Sequence, residues 1–376
     1  MPIDRWLRGL ALFGVLLCFG VVVLGAYVRL TDAGLGCPDW PGCYGHVSPV
    51  GAEDSPASQA QFPGRPLETG KAWHEMIHRY AAGTLGCVII VIAAFAIAAR
   101  GSRGQPGLPR VVGAGFGLLL FATVLVQAVL GMLTVTWLLK PLIVTLHLIF
   151  GMTTLGLLWW ASGCLLARSA AHGGAGVSWR LSAGRMRDSG VGWPVAGPIQ
   201  SRQAAKHVNT AYWLTVICII VLAVQFFLGG WTSANYAALA CPDFPTCQGA
   251  WWPHADFRHA FVLWRGLWID YQGGILANPA RVAIHFAHRL GALTVTLTFL
   301  ATSLFVISRP SLAAARPRTY LVLAALGLQL AIGISMVLAT FPLWLTTAHT
   351  AGAALLLMSI LALTAKLHAL RALPAT

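Results

Sequence analysis

The chain has 376 residues, of which 57% are hydrophobic and only 10% are charged, and its mean hydropathy is +0.72. These values are typical of a polytopic membrane protein and exclude a soluble globular enzyme. The net charge of +14 does not indicate nucleic-acid binding, because the sequence has no basic patch with interleaved aromatic residues.

Eight apolar segments are long enough to cross a bilayer, since a ~30 Å hydrocarbon core needs a helix of about 20 residues. In chain order they are 8–28, 73–99, 111–136, 141–168, 209–232, 281–307, 319–340 and 342–365. A proline follows the third segment and another follows the seventh, which predicts two tight antiparallel hairpins. The predicted fold class is therefore an all-α polytopic membrane protein with eight transmembrane helices.

The basic residues concentrate on one side of these segments. The two termini and the loops 100–110, 168–206 and 309–318 hold 16 of the 25 Lys and Arg residues but only two of the eleven acidic residues. By the positive-inside rule, this distribution predicts that both termini are cytoplasmic.

The two halves of the chain carry the same motifs in the same order. The segment Cys37-Pro-Asp-Trp-Pro-Gly-Cys43 recurs 204 residues later as Cys241-Pro-Asp-Phe-Pro-Thr-Cys247. Other recurrences are Leu24-Gly25 with Leu228-Gly229, and Gln127-x-x-x-Gly131 with Gln329-x-x-x-Gly333. Such an internal repeat indicates a duplication.

We interpret the chain as two tandem four-helix bundles, residues 1–168 and 207–376, joined by a cytoplasmic linker at 169–206. Four is an even number of helices, so both bundles enter the membrane from the same side. This predicts a pseudo-twofold axis along the membrane normal between them.

Each external cysteine pair is predicted to form a short-loop disulfide. Cys43 lies six positions after Cys37 and Cys247 six positions after Cys241, and two prolines between the cysteines of each pair let the chain turn back. A four-cysteine metal site joining the loops and a redox-active role are the alternatives. The second long external loop, 233–279, is rich in aromatic residues, which suits either a lid or an interfacial segment.

Four histidines occupy recurring positions in the even-numbered segments. His78 recurs as His288, and His147 recurs as His349. All four segments run from outside to inside, and the position of each histidine places it roughly 10 Å below the outer boundary at ~1.5 Å per residue. One histidine from each of two helices per bundle favours axial coordination of a haem iron, whereas a zinc site normally needs three or four ligands.

Two arginines directly follow histidines of this set. Arg79 follows His78, and Arg289 follows His288. Their guanidinium groups match a carboxylate, so both are candidate contacts for haem propionates. The alternative is that each is an interfacial arginine that extends toward water.

One position distinguishes the two halves. Glu75 stands three residues before His78, whereas His285 stands three residues before His288. Glu75 is the only acidic residue within the eight segments, and a carboxylate at membrane depth is usually functional. This asymmetry predicts a working site in the first half and a supporting site in the second. His74, four residues before His78, is an alternative ligand.

The segment Tyr27–Cys43 and the motif Glu75-Met-Ile-His78-Arg79 resemble those of the haem A synthase family of bacterial type. The duplicated eight-helix layout extends that resemblance over nearly the whole chain. It implies an oxidoreductase in the bacterial inner membrane that converts haem O into haem A for terminal oxidases, by oxidising a ring methyl to a formyl group.

The resemblance also implies roles for the candidate residues. His78 and His147 would hold the substrate haem O, while His288 and His349 would hold a haem b cofactor, both toward the external side. Glu75 would be the functional carboxylate. Implied partners are haem O, a haem O synthase (protohaem farnesyltransferase) and oxidase assembly factors, with a homo-oligomer left open and no nucleic acid.

Two other classes of protein would also suit parts of the pattern. A di-haem b electron-transfer protein, such as a quinol-linked cytochrome, would have paired histidines but no reason for a carboxylate beside one haem only. A transporter would suit the repeat, but not histidines grouped at one depth.

Overall fold

The computed structural model describes residues 2–98, 113–173 and 202–372. Within these residues it has eleven α-helices and two short 3-10 helices, at Ala238–Ala240 and Pro310–Ala315. The α-helices are α1 (Pro2–Leu30), α2 (Pro49–Glu53), α3 (Pro56–Ala60), α4 (Thr69–Ala98), α5 (Ala114–Thr136), α6 (Pro141–Gly173), α7 (Arg202–Ala234), α8 (Phe257–Ala260), α9 (Asn278–Ile307), α10 (Arg316–Leu338) and α11 (Leu343–Arg371).

Eight spans of the described chain are long and apolar enough to cross a membrane: α1, α4, α5, α6, α7, α9, α10 with the preceding 3-10 turn, and α11. Their order matches the eight apolar segments, so the predicted all-α membrane fold is confirmed. The protein is a multi-pass membrane protein, and the short helices α2, α3 and α8 lie in the two long loops.

Several helices begin before their apolar segments. The fifth segment was predicted to start at 209, but α7 begins at Arg202. Polar residues such as Arg and Gln are good helix formers, so a helix continues past the end of its apolar stretch. Similarly, α4 begins at Thr69 and α9 at Asn278, where Pro279 occupies the first turn.

The structure has both predicted hairpins. Four residues separate α5 from α6, and four separate α10 from α11. Each turn has two consecutive residues with positive φ: Leu138 and Leu139 in the first, Thr340 and Phe341 in the second. The same turn geometry therefore places the start of α6 and the start of α11, the helices that carry His147 and His349.

Helix contacts form two rings. One is closed by α1, α4, α5 and α6, and the other by α7, α9, α10 and α11. The rings adjoin where α6 contacts α7 and α11 and where α1 contacts α11, and one apolar core runs through both. The division at 1–168 and 207–376 and the pseudo-twofold axis stay predictions. The loop at 100–110 and residues 174–201 of the linker lie outside the described residues.

The loop between α7 and α9 crosses onto the first ring. The Trp264 ring lies 5.8 Å from that of Trp137, and the Lys140 amine lies 2.9 Å from the centre of the Trp264 ring. The Tyr271 amide also donates to the Leu138 carbonyl (3.1 Å). This part of the loop covers the α5–α6 turn, as a lid would. Other tryptophans of the loop are exposed to the extent of 75%, 72% and 80%: Trp251, Trp252 and Trp268.

Polar contacts also join the regions that follow α1 and α7. The Arg29 guanidinium donates to the Ser233 carbonyl (2.8 Å) and lies over the Tyr236 ring (4.1 Å). The Tyr236 hydroxyl in turn donates to the Asp32 carboxylate (2.7 Å). These contacts connect the C-terminal ends of α1 and α7, which are equivalent in the repeat.

Candidate functional site

The two histidines of the second pair lie close together. The rings of His288 on α9 and His349 on α11 have centroids 6.5 Å apart and an interplanar angle of 78°. Two metal–nitrogen bonds of about 2 Å each, together with the distance from each nitrogen to its ring centre, nearly fill this separation. The residues therefore fit one metal ion held between two imidazoles.

The first pair consists of His78 on α4 and His147 on α6. The Nδ1 atom of each is buried and has no hydrogen-bond partner among the described residues. Because buried polar atoms normally have partners, this pair fits a site that is completed by a ligand. His74, the alternative ligand, instead packs edge-on against Tyr27, with ring centroids 5.0 Å apart.

A glycine of a neighbouring helix packs against each of these four imidazoles. A methyl group at Gly25 would lie only 2.8 Å from the Cε1 atom of His78, which is closer than real Cβ contacts allow. The other pairs, with the corresponding distances, are Gly131 and His147 (3.3 Å), Gly229 and His288 (3.2 Å), and Gly333 and His349 (3.0 Å). The absence of a side chain thus lets each ring lie close to the neighbouring backbone. The recurrence of these glycines was visible in the sequence, but their contact with the rings was not.

Glu75 is buried, and both of its carboxylate oxygens have donors. Oε2 accepts from the Cys37 backbone amide (2.8 Å), and Oε1 accepts from the Arg79 guanidinium (2.5 Å). The carboxylate therefore ties α4, one turn before His78, to the first disulfide loop. The ion pair with Arg79 compensates the cost of a charge in this buried position.

The two arginines bind the disulfide loops in the same way. Arg79 donates to the Gly42 carbonyl (2.5 Å), and Arg289 donates to the corresponding Thr246 carbonyl (2.6 Å). In the second half, Arg289 also donates to His285 Nε2 (3.2 Å), so His285 takes the place that Glu75 has in the first. These contacts use N–H groups that propionate binding would need, and the propionate role stays a prediction.

Both predicted disulfides are present, with Cα atoms 4.7 Å apart in each. An aspartate stabilises each loop: Asp39 accepts from two backbone amides of the first, and Asp243 accepts from two of the second. The Thr246 hydroxyl and these amides hold the pKa of Asp243 at about 2, below its ordinary value. Within the described residues, no group of three or more His, Cys, Asp or Glu side chains is arranged to hold a metal ion, which argues against the four-cysteine site.

Sequence reasoning missed one contact in the second site. The Gln225 side-chain amide lies 3.1 Å from Nδ1 of His288. A polar residue in the middle of an apolar segment was the available signal. Gln329, which belongs to a recurring motif, lies 3.3 Å from both ring nitrogens of His349.

The chain is similar to known proteins over nearly its whole length. A family model described as COX15-CtaA, cytochrome oxidase assembly protein, matches residues 8–361. The chain is 36% identical over 359 residues to a haem A synthase of Shewanella oneidensis, and the alignment covers 94% of each protein. It is 25% identical over 347 residues to a haem A synthase of Halalkalibacterium halodurans, covering 91% of each. It is also 26% identical over 370 residues to a haem A synthase of a Chelativorans species, covering 94% of this chain and 88% of the relative.

Proposed function

Because the chain belongs to the COX15-CtaA family of cytochrome oxidase assembly proteins, we propose that it is a haem A synthase. It oxidises a ring methyl of haem O to a formyl group and so gives haem A for terminal oxidases. The observation that carries this proposal is the family match over residues 8–361, which includes both histidine pairs and Glu75. The relatives with the named activity favour a synthase over a di-haem electron-transfer protein, and no comparison favours the latter.

Each half has its own haem in this proposal. His78 and His147 of the first bundle hold the substrate haem O, because Glu75 lies one turn from His78 and has no acidic counterpart in the second half. His288 and His349 of the second bundle hold haem b, and their ring separation of 6.5 Å supports ligation of one iron by both. When bound, haem b would be held by His288 and His349 and would supply a one-electron redox centre.

The reaction requires two successive two-electron oxidations of the substrate. The methyl group and one water give the alcohol, with release of two protons and two electrons. The alcohol and a second water give the hydrated aldehyde with the same release, and loss of water leaves the formyl group. The chain therefore has to provide a route for water and protons beside the oxidised carbon.

Glu75 is the residue that we propose for this task. Its carboxylate either orients and deprotonates the attacking water or stabilises positive charge at the oxidised carbon. The Cys37 amide and the Arg79 guanidinium fix its direction in either role. The first disulfide loop is thus part of the support of the carboxylate, because Cys37 is both a disulfide partner and a donor.

We propose further that the protein lies in the bacterial inner membrane with both termini cytoplasmic and both haem sites toward the external side. The concentration of Lys and Arg at the termini and alternate loops supports this orientation. A haem O synthase that supplies the substrate and assembly factors that receive the product are the proposed partners. Self-association into a homo-oligomer is compatible with this arrangement.

Expression in a bacterium that makes haem O but lacks its own haem A synthase tests the proposed activity. We expect extracted haems to include haem A, identified by mass as haem O with one oxygen gained and two hydrogens lost. A folded protein that contains haem b alone, in cells that accumulate haem O, would contradict the proposal and support the di-haem alternative.

A further inference from the structure

The loop between α7 and α9 places one of its side chains inside the first half. Tyr271 is buried in a cluster with three apolar residues of that half: Leu35, Val135 and Leu139. The Tyr271 amide also donates to the Leu138 carbonyl, in the turn between α5 and α6 (3.1 Å). A residue of the second half therefore fills the end of the first ring at which α6 begins.

The Tyr271 cluster lies next to the first histidine pair. Val135 on α5 stands four residues after Gly131, the glycine that packs against the His147 ring. On α6, Val144 packs against the cluster and stands three residues before His147. Three to four residues make one helical turn, so the cluster lies about one turn from the level of His147.

Lys140 holds the beginning of this part of the loop. It directly precedes α6 and is buried, and its amine donates to the Gly266 carbonyl (2.5 Å). The same amine lies 2.9 Å from the centre of the Trp264 ring. Burial of an ammonium group is unfavourable, and the carbonyl and the aromatic face replace its hydration only while the loop stays in place. If the loop moves away, water can solvate the amine instead.

Arg65, in the loop between α1 and α4, holds the other end. Its guanidinium donates to the Asp270 carboxylate (2.6 Å) and to the side-chain carbonyl of Gln272. Half of the Asp270 side chain is exposed, so this ion pair contributes little to stability and can open at low cost.

Glycines flank the six residues between these two attachments, 267–272. Gly266 has a φ of +100°, and Gly273 and Gly274 have φ of +78° and +84°. Glycine adopts such values without steric cost, and lid motions are absorbed by a few backbone positions of this kind. Residues 267–272 can therefore rotate as one segment once the contacts of Lys140 and Arg65 break.

The equivalent positions of the second half are uncovered. Leu35 is 7% exposed, whereas its counterpart Leu239 is 66% exposed. Pro342 stands in place of Lys140, and the adjacent Leu343 is exposed. The cover is therefore specific to the first histidine pair.

We propose that residues 267–272 are a lid of the first histidine site, hinged at Gly266 and Gly273–Gly274 and held closed by Lys140 and Arg65. The closed lid retains the haem during its two oxidation steps. Opening withdraws Tyr271 from the space next to His147, so that haem O enters and haem A leaves. This role rests on the proposed function, and it lets the substrate site exchange its haem while the cofactor site does not.

Transfer of haem from the purified protein to an excess of a haem-free globin tests the lid, with the transferred haem identified by mass. Tyr271→Ala removes the buried ring, and Trp264→Ala removes the aromatic face that the Lys140 amine contacts. We expect each variant to release haem O about tenfold faster than the wild type, because each contact favours the closed state by roughly that factor. Haem b should transfer at an unchanged rate.

Trp251→Ala is the matched control. Trp251 belongs to the same loop, but its ring is 75% exposed, so we expect both haems to transfer from this variant at the wild-type rate. A variant that only loosened the structure would release haem b faster as well.

Hydrogen exchange at the Tyr271 amide measures opening without any haem signal, because its bond to the Leu138 carbonyl exists only in the closed state. We expect faster exchange of this amide in Trp264→Ala than in the wild type, and wild-type exchange in Trp251→Ala. In a second experiment, a disulfide between Leu138→Cys and Tyr271→Cys holds the lid closed, since one backbone hydrogen bond joins these residues. We expect the oxidised double variant to release haem O more slowly than Tyr271→Cys alone under the same conditions.

The proposal is overturned if Tyr271→Ala and Trp264→Ala release haem O at the rate of Trp251→Ala. It is also overturned if haem b is released faster to the same extent, or if the disulfide does not slow the release of haem O. Failure of the proposed function gives a different result: a wild type that forms no haem A, while the Tyr271 amide still exchanges faster in Trp264→Ala, would support the motion of the lid and contradict the synthase.

Discussion

The two halves of the molecule have the same glycine and arginine contacts around their histidines, but they differ in other side chains nearby. In both, a glycine packs against each imidazole, and an arginine binds the carbonyls of a disulfide loop. The differences lie beside the histidines, where Glu75 on α4 is replaced by His285 on α9 and Val21 on α1 by Gln225 on α7. The repeat thus gives both histidine pairs similar packing, and the difference in chemistry that we propose lies in the residues beside them.

The largest expected effect comes from the carboxylate that only the first half has. Glu75→Gln keeps a similar shape but removes the negative charge, so we expect the rate of haem A formation to fall by about 10²–10⁴-fold while both haems stay bound. The measurement is the ratio of haem A to haem O in extracts of the purified variant, together with its optical spectrum.

The matched change in the second half is His285→Gln. We expect haem A formation in this variant to stay close to that of the wild type, because His285 contacts Arg289 in the half that we propose to hold haem b. Equal losses of activity in the two variants would show that the halves are not divided into a working and a supporting site.

Replacing the arginines is expected to have a smaller effect, on the stability of the protein. The size of this effect should again differ between the two halves. Arg79→Leu leaves the buried Glu75 carboxylate without its cation, whereas Arg289→Leu leaves no buried carboxylate behind. Removing one partner of a buried ion pair costs about 3–5 kcal/mol, so we expect Arg79→Leu to lower the free energy of unfolding by that much more than Arg289→Leu does. Denaturation of the two variants in the same detergent measures the difference.

The double variant Glu75→Gln/Arg79→Leu provides the control for this comparison. It removes both charges, so we expect it to recover part of the stability that Arg79→Leu loses. If the two arginine variants are equally stable, or if the double variant recovers nothing, the Glu75–Arg79 pair does not stabilise the first half in the way described.

Much of the architecture could be predicted because long apolar segments and prolines are strong local signals. The eight membrane helices, the two hairpins and both disulfides were all predicted from such signals. Helix ends were less accurate, as at Arg202, because good helix formers extend a helix beyond its apolar stretch.

The parts of the site that could not be predicted depend on contacts between distant residues. The sequence indicated that Glu75 was unusual, but its partner Cys37 lies 38 residues earlier in the chain. The packing of Trp264 on Lys140 depends on how the two rings of helices adjoin. Gln225 was missed because its counterpart in the repeat is a valine, so the duplication itself gave no signal.

The assignment of one haem to each histidine pair is tested most directly by mass analysis of the haems extracted from purified wild type, His78→Ala and His288→Ala. We expect His78→Ala to lose haem O and its oxidised derivatives while keeping haem b, and His288→Ala to lose haem b. Loss of the same haem from both variants, or retention of every haem in either, would contradict the account.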